Sequence, residues 1–146
     1  MRNSHEQHKG ENMALKLEKI SLVSSTFEIK PDAENCNYQL SLTSYKSRKA
    51  PVPSGFGTDI TLGFDLFGKE QKQIKFRCVW VLRYTGSNED KALLKEHIVV
   101  AHAIPYLREY AVNTLMRAGL RQNLLDPTNA FHLWKAYFDA KEASKR

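Results

Sequence analysis

The sequence predicts an α+β protein: four antiparallel strands in a meander-like sheet, then a long helix and a C-terminal helix packed on one face. Three observations carry that expectation. Before residue 86, apolar residues recur at every second position in "NYQLSLTSYK", "TDITLGFDLFG" and "KQIKFRCVWVLRYTG", the period of strands. After "GSNED" the apolar period becomes 3.6, that of helices. Between two of the strand-like runs, Gly68-Lys69-Glu70 is a short connection, which suits an antiparallel hairpin.

Residues 1–12, "MRNSHEQHKGEN", are polar and read as a disordered tail. Residues 13–140 read as one domain, and 141–146 as a charged C-terminal tail. From Leu15 to Ile29 the apolar positions are Ile20, Leu22, Phe27 and Ile29, whose parity changes midway. A bulge near Ser24-Ser25 would return them to one face. "KPDAEN" (Lys30–Asn35) is a turn cluster. Tyr38, Leu40 and Leu42 then alternate with Gln39, Ser41 and Thr43, a half-buried strand. "SRKAPVPSGFG" (Ser47–Gly57) reads as a loop, and Ile60, Leu62, Phe64 and Leu66 mark the third strand. The fourth places Ile74, Phe76, Cys78, Trp80, Leu82 and Tyr84 on one face. Val79 and Val81 on the other suggest that both its faces are partly covered.

Lys91 to Gly119 reads as helix, broken or kinked just before Pro105 and stopped by Gly119. Ile104, Leu107, Ala111, Leu115 and Ala118 share its main apolar face, flanked by Tyr106, Tyr110 and Met116. A helix apolar over so much of its circumference must bury a second face, in another subunit or against a client. "LRQNLLDPTN" is a loop, and Thr128 or Asn129 caps a last helix in which Phe131, Trp134 and Phe138 line one stripe beside Tyr137.

Composition narrows the function classes. A chain of 146 residues can bury a sizeable core. The net charge of +6 permits acidic partners, but the basic residues are dispersed, which argues against a dedicated nucleic-acid stripe. Cys36 and Cys78 form no metal or redox spacing. His5-Glu6-Gln7-His8 lacks the spacing that sets two imidazoles on one helical face, and His97, His102 and His132 are isolated. "PSGFGTD" lacks the ending of a phosphate loop, and no serine or cysteine sits in a nucleophile elbow. No catalytic residue, metal site or cofactor is expected. With no signal-peptide-like run and no membrane-span length of apolar residues, the expected location is the cytoplasm.

Several segments, in order along the chain, resemble the SecB family of bacterial export chaperones. "IPYLRE" (Ile104–Glu109) resembles the family's "LFPYARE", and "MRAGL" (Met116–Leu120) its "SRG" helix end. "LLDPTNAFHLWKAY" resembles "NLAPVNFDALFMNYL", with Pro127, Asn129 and Phe131 in matching slots. "ISLVSSTFE" (Ile20–Glu28) is similar to the first-strand "IxxxxxxFE", and Phe76-Arg77-Cys78 to "FLC". The resemblance implies a four-stranded sheet with two helices on one side, a homotetramer built as a dimer of dimers, and ATP-independent holding of unfolded polypeptides in apolar grooves. Tyr38, Leu40, Leu42, Trp80, Leu82, Tyr106 and Tyr110 are then candidates to line a client groove, and Leu107, Leu115 and Met116 to form the oligomer interface. Glu28 matches one acidic position through which the family docks on SecA. The other two such positions are Ser24 and Val79, so the acidic set is largely missing, and the basic chain does not favour that docking. SecB-like chaperones that serve an antitoxin are a second route from the same resemblance. The alternative to a holdase is a SecB-fold interaction module with one folded partner.

Overall fold

The computed structural model describes residues 15–29, 38–68, 74–119 and 129–145. Strands β1 (Lys16–Ile29), β2 (Tyr38–Lys49), β3 (Phe56–Gly68) and β4 (Ile74–Gly86) precede a short 3-10 helix (Asn88–Leu93) and two helices, α1 (Glu96–Arg117) and α2 (Ala130–Ser144). The sheet is antiparallel throughout, in the order β1-β4-β3-β2. The meander is therefore β2-β3-β4, with β1 at the far edge against β4. The expected N-terminal tail with His5 and His8, the turn cluster, Cys36, the link after Gly68 and the loop holding Pro127 and Thr128 lie outside the described residues.

The central pair sets the core. Ile60, Leu62, Phe64 and Leu66 of β3 stand opposite Leu82, Trp80, Cys78 and Phe76 of β4, and all eight are buried. The edge strands reach the same face only through bulges. In β1 the register slips between Leu22 and Ser24, making Val23 the extra residue, beside the expected Ser24-Ser25 position. A second slip, between Leu17 and Lys19, matches a further parity change from Leu17 to Ile20, which the four apolar positions read from the sequence leave out. Together they bring Leu17, Ile20, Leu22 and Phe27 opposite Tyr84, Leu82, Trp80 and Phe76. In β2 a slip between Leu42 and Ser44 places Tyr45 opposite Leu62, on the inner face.

Three expectations change. Part of the Pro/Gly segment is strand, because β2 runs to Lys49 and β3 begins at Phe56. No described element covers the outer face of β4, where Val79 and Val81 are half-buried among their cross-strand neighbours. The helix breaks at Leu94-Lys95, between the 3-10 turn and α1, and runs on through Pro105. Proline removes the donor for the carbonyl of Ala101. Both residues lie on the exposed face of α1, so water can satisfy that carbonyl.

Helix α1 lays Val99, Val100, Ala103, Ile104, Leu107, Ala111 and Leu115 on the sheet, all buried. Gly119 (φ 80°) closes the helix by donating its N–H to the Met116 carbonyl at 2.9 Å. Asn129 caps α2, its Oδ1 accepting from the His132 N–H at 3.1 Å. Helix α2 continues to Ser144, so Lys141 and Glu142 are helical.

Gly55 (φ 75°) turns the chain into β3, and a Cβ there would collide with the Gly86 carbonyl. Gly119 shares the left-handed conformation but has open space around it. Gly55→Ala should therefore lower unfolding stability by at least about 2 kcal/mol and Gly119→Ala by about 1 kcal/mol, read from urea denaturation. Equal losses would show that the Gly86 contact is relieved.

Candidate functional site

The sheet–helix interior takes up most of the residues proposed for a client groove. Leu40, Leu42, Trp80 and Leu82 are at most 8% exposed, because they belong to the core that the sheet forms with α1 and α2. The side chain of Tyr38 is outside the described set. Tyr110 is half-buried and fixed: its ring meets Phe76 and Trp80 edge-on at 5.6 and 5.9 Å, and its hydroxyl lies 2.7 Å from Ser25 Oγ. Tyr106 is open, at 46% exposure. Of the residues proposed for the oligomer interface, Leu107 and Leu115 belong to the chain's own core, and only Met116 is exposed. Periodicity could not separate these roles, since a groove and a helix–sheet core use the same spacing.

The open apolar surface lies elsewhere. Helix α2 has no buried residue. It rests on the core through Ala130, Leu133, Trp134 and Tyr137, each partly buried. One position round, it shows a ladder of rings. Phe131 and Trp134 are 5.8 Å apart, Trp134 and Phe138 are stacked at 5.4 Å, and Phe131 and Phe138 are 46% and 40% exposed. His97 of α1 meets Phe131 edge-on at 5.6 Å, and the Trp134 indole donates to Glu96 Oε2 at 3.0 Å. These contacts tie the ladder to the start of α1, with Trp134 partly buried on the core and Phe131 and Phe138 exposed on either side of it. The stripe was visible in the sequence, but that its phenylalanine rings are exposed was not. Leu22 and Val23 at the β1 bulge form a second exposed apolar spot.

The outer face of the sheet is polar. Arg83 donates to Asp59 through Nε and Nη2 (2.7 and 2.9 Å), and Arg77 to Asp65 likewise (2.8 and 3.1 Å). The Arg83 hydrogen bond, with Arg48 and Lys19 nearby, holds the Asp59 carboxyl below its ordinary range. Ser24 and Val79, two of the positions where the resemblance expects acids, are direct cross-strand partners. Glu28 stands opposite Lys75 and close to Arg77.

Nucleophilic chemistry finds little support. Burial pushes the Cys78 thiol up from 9.0 to about 11, and its sulfur accepts from the Trp80 indole at 3.3 Å. Burial likewise raises Tyr45 and Tyr84, and the Tyr84 hydroxyl is 2.7 Å from His102 Nδ1. Among the described residues no group of three or more His, Cys, Asp or Glu side chains could hold a metal, and no helix is long and apolar enough to cross a membrane.

An open four-stranded antiparallel sheet with a long and a C-terminal helix on one face defines a SecB-like fold. One solved structure with that fold is the Mycobacterium tuberculosis SecB-like chaperone in complex with a ChAD peptide from the HigA1 antitoxin. It superposes with a TM-score of 0.62 at 14% identity, over 84% of this chain and 96% of that one. No protein-family model and no curated protein sequence matches. The likeness thus lies in the fold, and the matched protein is a chaperone rather than an enzyme.

Two measurements check these placements. Leu107→Ala should cost about 2–5 kcal/mol of stability, as a core truncation, and Met116→Ala no more than about 0.5 kcal/mol in the isolated chain. The reverse order in denaturation would return Leu107 to an intersubunit role. The second test is alkaline. A thiol that ionises near 9 when unfolded but near 11 when folded stabilises the native state below pH 9, and that contribution fades as pH rises to 11. The denaturation midpoint should fall across this window, and less steeply in Cys78→Ala.

Proposed function

We propose that the protein is an ATP-independent holdase that captures non-native polypeptide on its helix side, for a dedicated client such as an antitoxin. The observation that carries this reading is the ladder of Phe131, Trp134 and Phe138, whose two phenylalanine rings are exposed, on a SecB-like fold. An unfolded segment offers apolar side chains in no fixed order. Rings that a folded chain leaves open can bury them without demanding one sequence, because the hydrophobic effect is non-directional. Binding of this kind consumes no nucleotide and needs no cofactor. Tyr106 is a separate exposed ring on α1, while Leu40, Leu42, Trp80 and Leu82 are buried and act on the client only by holding the two helices on the sheet.

The antitoxin reading rests on the matched chaperone, which was solved with an antitoxin peptide. Delivery to SecA has less support. Ser24 and Val79 offer no carboxylate, and Glu28 already faces Lys75. In the proposed assembly, a cytoplasmic homo-oligomer, Met116 of α1 and Leu22 and Val23 of the open β1 edge are covered by neighbouring subunits.

The test is light scattering of a chemically denatured protein diluted into buffer without nucleotide. The chain should suppress aggregation at stoichiometric amounts. Phe131→Ser with Phe138→Ser should raise the concentration for half suppression about tenfold, the loss of about 1–2 kcal/mol of apolar burial. Both side chains are exposed, so the variant should keep its fold. No suppression by the unaltered chain would leave a SecB-fold module with one folded partner.

A further inference from the structure

Four residues, one from each strand, form a row straight across the outer face: Arg48 of β2, Asp59 of β3, Arg83 of β4 and Lys19 of β1. Each is the register partner of the next. Three carry positive charge and one negative. Lys46 follows on β2 opposite Thr61, and Lys16 on β1 pairs with Glu18 at 3.9 Å. At this end of the face, five cations meet two carboxylates. The other end is balanced: Arg77 holds Asp65, and Lys75 stands opposite Glu28. Between them lies a neutral strip of Ser21, Ser24, Thr61, Gly63, Val79 and Val81.

Lys19 and Arg83 are direct cross-strand partners, and like charges in that position destabilise a sheet. Asp59 answers only part of the charge. Its two oxygens are both taken by Arg83, while Lys19, Lys46 and Arg48 make no salt bridge among the described residues. Asp59 also anchors the Arg83 guanidinium, whose Nη1 has no partner among the described residues. The result is a row of net positive charge about 14 Å wide, three strand spacings, anchored at Arg83 beside a neutral strip.

We propose that this row is a docking surface for an acidic segment of a partner protein. Carboxylates spaced along an extended chain would lie across the strands and complete the charge pattern that Asp59 begins. A nucleic acid fits less well. Its backbone contacts call for a longer cationic track, and no aromatic ring for stacking bases lies among the face's described side chains. The surface is on the opposite side of the sheet from the α2 ladder, so the proposal does not depend on the holdase reading.

The experiment uses the full chain and fluorescein-labelled decaglutamate, followed by anisotropy. Wild type should bind at about 50 mM salt and lose most of its affinity by about 200 mM. Lys19→Gln, Lys46→Gln and Arg48→Gln together should weaken binding roughly tenfold. A control lacking equal charge elsewhere, Lys91→Gln, Lys95→Gln and Lys135→Gln, should stay within about twofold of wild type. The row variant should melt no lower than wild type, since it relieves like-charge pairing, and Arg48→Gln alone gives a milder second variant. Suppression of client aggregation should be the same in the row variant as in wild type, which separates failure here from failure of the holdase reading. No binding by wild type, or equal losses in row and control variants, would overturn the proposal. So would tighter, row-dependent binding of an oligothymidylate of equal length.

Discussion

The antiparallel register between β3 and β4 is the constraint on which both surfaces of this protein depend. It sets Ile60, Leu62, Phe64 and Leu66 against Leu82, Trp80, Cys78 and Phe76. One row later it sets Asp59 and Asp65 against Arg83 and Arg77. Because side chains alternate strictly, the two consequences cannot be separated: a one-residue slip would bury the ion pairs and expose the core. Bidentate Asp–Arg pairs on the outer face favour the register that the apolar row requires, though exposed pairs add only modest stability. The apolar row is the stronger determinant, since all eight of its residues are buried.

The edge strands adapt to that pair through bulges. Val23 and Thr43 are the extra residues that let β1 and β2 keep their apolar side chains inward. At β1 the adaptation leaves a mark on the surface, since Val23 is 60% exposed at the bulge. A bulge twists an edge and disrupts its ladder. The free edge of β1 is thus a less regular template for another strand than its length alone would suggest, and any subunit docking there must fit the twist as well as the exposed Leu22 and Val23.

The sequence made the strand order along the chain, the change to helix and the end of α1 at Gly119 legible, because each rests on a local period or a local backbone need. The β1 parity change likewise pointed to a bulge close to where Val23 lies. The β2 bulge stayed hidden, since Tyr45 is aromatic and reads equally well on either face. Pro105 misled for a different reason. A proline interrupts a helix where its neighbour's carbonyl is buried, and here it sits on the exposed side. The candidate site was less legible still. Leu40, Leu42, Trp80 and Leu82 have the chemistry of a groove, and only the placement of the two helices on the sheet makes them interior. The row from Arg48 to Lys19 was beyond reach for the same kind of reason, because its members come from four strands and meet only once register is known.

The sheet therefore acts as a partition between two chemistries. Nearly all the apolar side chains of its inner face pack in the core beneath α1 and α2, so the sheet itself has little apolar surface left for a ligand on that side. Helix α2 is in the opposite position. It lies at the margin, where β2 and the start of α1 offer it only a narrow seat, and its rings are too many for that seat. On the proposed reading, apolar capture is concentrated where packing is least complete, at Phe131 and Phe138, whose rings are exposed. On the outer face the described side chains of the cross-strand partners are charged or polar apart from the half-buried Val79 and Val81, so the recognition proposed there is electrostatic, salt-sensitive and selective by charge pattern. The two proposed attachments, an unfolded client on the helix side and an acidic segment on the outer face, therefore use opposite faces of the sheet, so each would strengthen or weaken without the other.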